Sequence, residues 1–424
     1  MGFGTFVKSV NCPSIKRLTD VIVHDIFSPP QASRIYAYPS IAAYEALRHD
    51  YPEYATMEGQ LTDFTKVPKP KSDSTYCFSV ASTHAFLKVG KALIFSEDKI
   101  ESFEAEMHEK FAALQMPQDV YKRSLAYGEA VADHVLAWAD KDNYKQTRTF
   151  PKYSITEDPA KWKPTPPGYM DGIEPHWREL RPFVIKSADQ FTPPPPTAFD
   201  MDKNSLFYKE LMEVYEALDA DHEERKAIAS FWDCNPYVMN VTGHVMYATK
   251  KITPGGHWIG IVKIAAEKAG SNIMESAEAY AMTSIALADA FISCWDEKYR
   301  SNLIRPETVI NQYVDEDWRP ALQTPPFPEY TSGHSVISRA AAITLTKLYG
   351  DNFAFDDDTE EEYGLPTRSY KSFLEASEEA AVSRLYGGIH YRPAIDNGVA
   401  QGEEVGKYIV ANLKTRPTSI GSRE

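Results

Sequence analysis

Three short stretches in the second half of the chain carry groups able to hold an anion and move protons beside it. In WDEKYRSNLIRP (295–306), Lys298 precedes Arg305 by seven residues, and Pro306 follows at once. In TSGH (331–334), Ser332, Gly333 and His334 stand where the proline-punctuated TPPFPEY (324–330) gives way to SVISRAAAITLTKLYG (335–350). In SRLYGGIH (383–390), Ser383 and Arg384 lead into a glycine pair, and His390 follows six residues after the arginine. Long cations neutralise anionic oxygens, and histidine exchanges protons near neutral pH. Ser332 and His334, two apart, would point to different sides of one helix, so they suit a loop that wraps a ligand as it enters a helix.

Each fragment also has an ordinary structural reading. A lysine and an arginine near a helix end complement the dipole, and a lone histidine is commonly a satisfied core or surface group. The bulk composition sharpens the question. The chain has 424 residues, 43% of them apolar and 25% charged, and a formal net charge of −15. Such a balance disfavours nucleic acid or an anionic membrane as partner, and an acidic protein that binds an anion must build its positive site locally. Cys12, Cys77, Cys234 and Cys294 show no zinc-site spacing. The longest apolar stretch (279–295) is interrupted by Asp289 and reads as a buried helix, not a membrane span.

The elements that must position these groups are helical. Apolar residues recur at three- and four-residue steps in 97–114, 121–140, 204–220 and 222–233. NIMESAEAYAMTSIALADAFISCWDEKY (272–299) predicts a long buried helix, with Pro306 ending the helical run, and 372–386 predicts another, stopped by Gly387 and Gly388. Ser28 before Pro29 and Pro30 resembles an N-cap followed by proline in the first turn. Strand alternation is nearly absent. TPPPPTAF (192–199) is a plausible seam between two halves, and DDDTEEE (356–362) reads as a solvated acidic loop.

K-x6-RP, then SGH, then SR-x5-H resembles the tripartite signature of the vanadium-dependent haloperoxidases and the related acid phosphatases, most of all the bacterial iodide-oxidising members. The resemblance is anchored in about the last 130 residues. It implies an all-α fold of two packed helical bundles: one haloperoxidase-like domain over 1–424, with an N-terminal half (1–198) and a C-terminal half (199–424) carrying the site. It implies vanadate as cofactor, held by Lys298, Arg305, Ser332, Gly333, Arg384 and His390. His390 would be the ligand to the metal and His334 the acid–base for hydrogen peroxide. Planar guanidinium forks suit the oxyanion, Gly333 lets the backbone N–H approach closely, and the following helix start adds its N–H groups.

The expected activity is oxidation of halide, iodide first and bromide second, by hydrogen peroxide. Trp295 and Phe327, with Tyr237 and Asp296 as further candidates, would line the halide pocket and partly strip it of water. An acid phosphatase using His390 as nucleophile is the principal alternative. Its family commonly places an aspartate four residues beyond this histidine, where this chain has Ala394, with Asp396 the nearest acid. A non-enzymatic helical scaffold is the third reading, which leaves the spacing of the three clusters to coincidence. Thr331 departs from the proline usual before SGH. We expect a monomer, with an oligomer the alternative. MGFGTFVKSVNCPS (1–14) lacks an export signal, and the expectation is a periplasmic or secreted protein whose signal lies outside this sequence, with a cytoplasmic location the alternative.

Overall fold

The computed structural model describes residues 11–217, 223–242 and 244–416; the first ten residues, the end of the 204–220 helix and residue 222 lie outside these. Fourteen α-helices account for most of the described chain. The first half contains α1 (Asn11–Asp25), α2 (Pro29–Leu47), α3 (Phe78–Lys91), α4 (Glu97–Ala112), α5 (Gln118–Ala139) and α6 (Tyr144–Thr147). After a long irregular passage come α7 (Leu206–Glu216), α8 (Glu223–Phe231), a hairpin of β1 (Val238–Thr242) and β2 (Val245–Thr249), α9 (Pro254–Ala269) and α10 (Ile273–Ser301). The chain closes with α11 (Pro306–Tyr313), α12 (Gly333–Tyr349), the paired strands β3 (Phe355–Asp357) and β4 (Arg368–Tyr370), α13 (Phe373–Tyr386) and α14 (Arg392–Asn412). The two small antiparallel hairpins are the only strands among the described residues, so the fold is helical as expected, with two local exceptions.

The expected cap at Ser28 is present as a capping box with Gln31, followed by Pro29 and Pro30 in the first turn. The predicted long helix, α10, is buried along almost its whole length and packs against α2, α9, α12 and α14. Asp289, which interrupts its apolar run, is wholly buried and accepts the backbone N–H groups of Phe183, Val184 and Ile185 at 2.7, 2.7 and 3.0 Å. A buried carboxylate placed there satisfies three donors that would otherwise be unpaired. The helix ends at Ser301, close to the predicted 272–299, and Asn302, left-handed at φ 52°, closes it before Pro306 is reached. Pro306 begins α11 instead of ending α10, because proline's missing N–H is harmless in a first turn.

Where α14 crosses α12, Gly398, Gly402 and Gly406 form the contact: a Cβ on Gly402 would come within 2.1 Å of the Val336 carbonyl oxygen. A Cβ on Gly398 would lie 2.9 Å from Ser335 Cβ and 3.1 Å from the Ser332 carbonyl oxygen. These glycines allow the backbones to touch, and so seat the start of α12, which carries Ser332–His334.

The acidic run 356–362 is not a uniformly solvated loop. Asp357 and Glu360 are buried, facing His257 on α9.

Candidate active site

Lys298 lies on the last turn of α10, Arg305 on the extended link before α11, Ser332 at the N-cap of α12, Arg384 on the last turn of α13, and His390 just past it. Gly387 and Gly388 end α13, with Gly388 left-handed at φ 75°, and the chain turns His390 back beneath the helix. The result is a cavity of about 40 Å³ bounded by Gly333, His334, Arg384, His390, Trp295, Phe327 and Tyr237. One water needs on the order of 10–15 Å³ by this measure, so the space suits a small polyatomic ion.

Lys298, Arg305 and Ser332 form the layer immediately behind this wall. Arg305 Nη1 donates to His390 Nε2 at 3.1 Å and to the Ile389 carbonyl at 2.8 Å, while its Nε donates to the Phe327 carbonyl at 2.9 Å. Lys298 Nζ donates to the carbonyls of Pro328, Glu329 and Thr331 at 3.0, 3.0 and 2.6 Å. All three ammonium donors are therefore engaged with the 328–331 loop, which the sequence expectation of direct oxyanion contact did not foresee. Ser332 Oγ accepts the Ser335 N–H at 3.4 Å, and its own N–H donates to the Ala394 carbonyl at 2.9 Å. Thr331 contributes its carbonyl to Lys298 and its hydroxyl to Gln401.

Arg384 Nη2 donates to the Trp232 carbonyl at 2.6 Å, and Nε to Ser383 Oγ at 2.9 Å. Among the described residues, the three cations thus hydrogen-bond to neutral acceptors only, although all are buried. Burial lowers their proton affinity, bringing Lys298 to about 7 and both arginines to about 10. Buried cations without carboxylate partners are costly, so the arrangement favours an anion in the cavity.

The histidines differ in how they are held. His390 Nδ1 lies 2.8 Å from Glu329 Oε1, which also accepts the Tyr391 N–H at 2.9 Å. With Nδ1–H donating to Glu329 and Arg305 donating to Nε2, the ring is neutral and its Nε2 lone pair is directed toward the cations. Burial, then Arg305, Lys298 and Arg384, hold it well below the usual histidine range. Burial also depresses His334, with Arg384 and His257 adding to it; the ring hydrogen-bonds the Trp232 backbone and leaves Nε2 without a partner.

Glu329 was missed in the sequence. It is fully buried, its Oε2 has no partner, and burial pushes its carboxyl up to about 8. It supplies the acidic partner for the ring that the position of Ala394 lacks, whereas Asp396 is exposed. The absence of an acid after His390 therefore ceases to argue against a phosphatase.

Trp295 and Phe327 meet at 5.0 Å between ring centroids, and Lys298 Nζ sits 5.0 Å from the centre of the Phe327 ring. Tyr237 reaches the cavity from the segment before β1. Asp296 does not. One residue on from Trp295 it points about 100° away around α10, and it pairs with Arg178 at 2.9 Å and Arg300 at 3.2 Å.

A family model for the second helical-bundle domain of VCPO matches residues 278–417. Among solved structures, one described as the first bacterial vanadium-dependent iodoperoxidase is 52% identical, covering 97% of this chain and 98% of its own, with a TM-score of 0.92. The chain belongs to the vanadium-dependent haloperoxidases. The holo and apo forms of a bacterial vanadium-dependent chloroperoxidase share the haloperoxidase fold, with TM-scores of 0.68 and 0.66 at 14% and 15% identity. They align with 92% and 90% of this chain and 93% and 94% of their own. No curated protein sequence matches it. The donor set of this haloperoxidase fits a vanadate-like oxyanion: Arg305 Nη2 and His334 Nε2 are buried without partners, and His390 offers a neutral nitrogen among three cations.

Proposed function

We propose that the chain catalyses vanadate-dependent oxidation of halide, iodide foremost with bromide as a second substrate, by hydrogen peroxide: X⁻ + H₂O₂ + H⁺ → HOX + H₂O. The observation that carries this reading is the convergence of Lys298, Arg305 and Arg384, buried and without carboxylate partners, around the neutral Nε2 of His390. The 52% identity to a bacterial vanadium-dependent iodoperoxidase supports the choice of halide oxidation over phosphate-ester hydrolysis.

His390 would hold vanadium through Nε2, with Glu329 fixing the ring. When bound, vanadate supplies a Lewis acid that activates peroxide without change of metal oxidation state. Arg305, Arg384 and the backbone at Gly333 would hold the oxyanion, and the charge of Lys298 behind the wall would help to neutralise it, with the hydroxyl of Ser332 close by at the start of α12. His334, neutral and with an unpartnered Nε2 at the cavity, would serve as the acid–base that takes up a proton from hydrogen peroxide and gives one back. Trp295 and Phe327 partly dehydrate the halide, which is easiest for a weakly hydrated ion.

The test is to load apo-protein with vanadate or with phosphate, then assay triiodide formation with peroxide beside hydrolysis of a phosphomonoester. Triiodide formation that requires vanadate is expected. Robust hydrolysis without vanadate-dependent iodide oxidation would assign the site to phosphate chemistry.

A further inference from the structure

Against one wall of the cavity, which Cys234 itself helps to line, lies a second cluster of buried polar groups that the halide reaction does not use. Cys234 follows α8, His257 stands in the first turn of α9, and Glu360 lies between β3 and β4; each is at most 2% exposed. Their ligand-type atoms converge. Cys234 Sγ is 3.4 Å from His257 Nδ1 and 3.8 Å from Glu360 Oε1, and Nδ1 is 3.1 Å from Oε1. A tetrahedral zinc ion with bonds of about 2.0 Å to nitrogen and oxygen and 2.3 Å to sulfur separates its ligands by about 3.3 Å (N to O) and about 3.5 Å (to S). The triangle therefore has the dimensions of one face of such a site.

The outer atoms agree with it. His257 Nε2 lies 2.8 Å from Asp357 Oδ2 and 2.8 Å from Thr359 Oγ1, and that hydroxyl donates to Asp357 Oδ1 at 2.7 Å. A carboxylate on the far nitrogen of an imidazole is the usual support of a metal-bound histidine, since it fixes the tautomer that leaves the near nitrogen free.

We propose that Cys234, His257 and Glu360 form a second metal site, sharing the Cys234 wall with the vanadate cavity, that takes a zinc-class divalent cation through Sγ, Nδ1 and a carboxylate oxygen. The thiolate and imidazole select against calcium and magnesium, which prefer oxygen ligands. Three protein ligands leave the fourth position to water. Loading requires a thiolate and a free Nδ1 lone pair, so the ion displaces the protons those atoms otherwise carry. Without metal, burial pushes the Cys234 thiol up. Burial disfavours the imidazolium of His257, but Asp357 and Cys234 outweigh it and hold that ring well above its usual range.

The site bears on the cavity through Trp232. The indole stacks on His257 at 4.4 Å and 16°, and the Trp232 carbonyl receives Arg384. A metal at His257 would fasten the segment that holds Arg384 and His334.

The full-length, vanadate-free protein is stripped with chelator and titrated anaerobically with cobalt(II), then with zinc. Saturation at one equivalent is expected, with a thiolate-to-cobalt charge-transfer band that zinc abolishes. Cys234→Ser should lose the band and Glu360→Gln should weaken binding at least tenfold. His84→Ala, which dismantles the half-buried His84–Glu104–His108 group, should leave both unchanged. Absence of a saturable band, or a band that survives in Cys234→Ser, overturns the proposal and leaves a buried imidazolium between Asp357 and Glu360. Should Cys234→Ser fail to fold, X-ray absorption at zinc in the wild-type protein decides: one sulfur neighbour supports the site, and none refutes it.

Discussion

Truncating Glu329 tests how the site orients His390, the proposed vanadium ligand. In Glu329→Ala, the buried Nδ1–H of His390 and N–H of Tyr391 both lose their acceptor. An unsatisfied buried donor costs about 1–3 kcal/mol, so the two together should lower folding stability by roughly 2–6 kcal/mol. Removing the carboxylate that supports a metal-bound histidine typically weakens metal affinity by about 10–100-fold, which is roughly 1.4–2.8 kcal/mol of binding. Glu329→Gln separates the two effects. Its amide oxygen can keep both N–H groups paired, and its NH₂ replaces Oε2, an atom that has no partner. Calorimetric titration of the apo-proteins with vanadate, run beside chemical denaturation, should give a loss of about 10–100-fold for alanine and less than about tenfold for glutamine. If folded Glu329→Ala binds vanadate within twofold of the wild type, the carboxylate does not set the ring, and the reasoning fails.

Gly402→Ala should destabilise the protein by about 1–3 kcal/mol in denaturant melts, since its Cβ meets the Val336 carbonyl, and should lower vanadate affinity by displacing the start of α12. Asp289→Ala unpairs three backbone donors and should cost about 3 kcal/mol or more in the same melts, with halide specificity unchanged in whatever protein folds. Lys298, lowered by burial to about 7, loses its charge as pH rises through that value. Vanadate binding to the apo-protein, which favours the cation, should weaken by up to about tenfold per pH unit above it, and Lys298→Arg should flatten that dependence.

The three-part motif was legible because its chemistry is written at fixed spacings: a turn of α10 and a short link join Lys298 to Arg305, and a glycine pair joins Arg384 to His390. Helices were legible from periodicity and capping, as at Ser28. Glu329 was not, because its partnership with His390 spans 61 residues and is made through space. A search for an orienting acid along the sequence reached Ala394, which is apolar, and Asp396, which is exposed. The acidic run at 356–362 misled for a related reason: composition marks it as solvated, yet packing turns Asp357 and Glu360 inward onto His257. Asp296 was a plausible neighbour of Trp295 in sequence, but helical geometry aims it at Arg178 and Arg300.

Vanadium anomalous scattering from crystals soaked in vanadate tests the central claim most directly. One peak per chain, bonded to His390 Nε2 and with its oxygens within hydrogen-bonding reach of Arg305, Arg384 and His334, is the predicted result. A peak at any other place, or none at saturating vanadate, would contradict it.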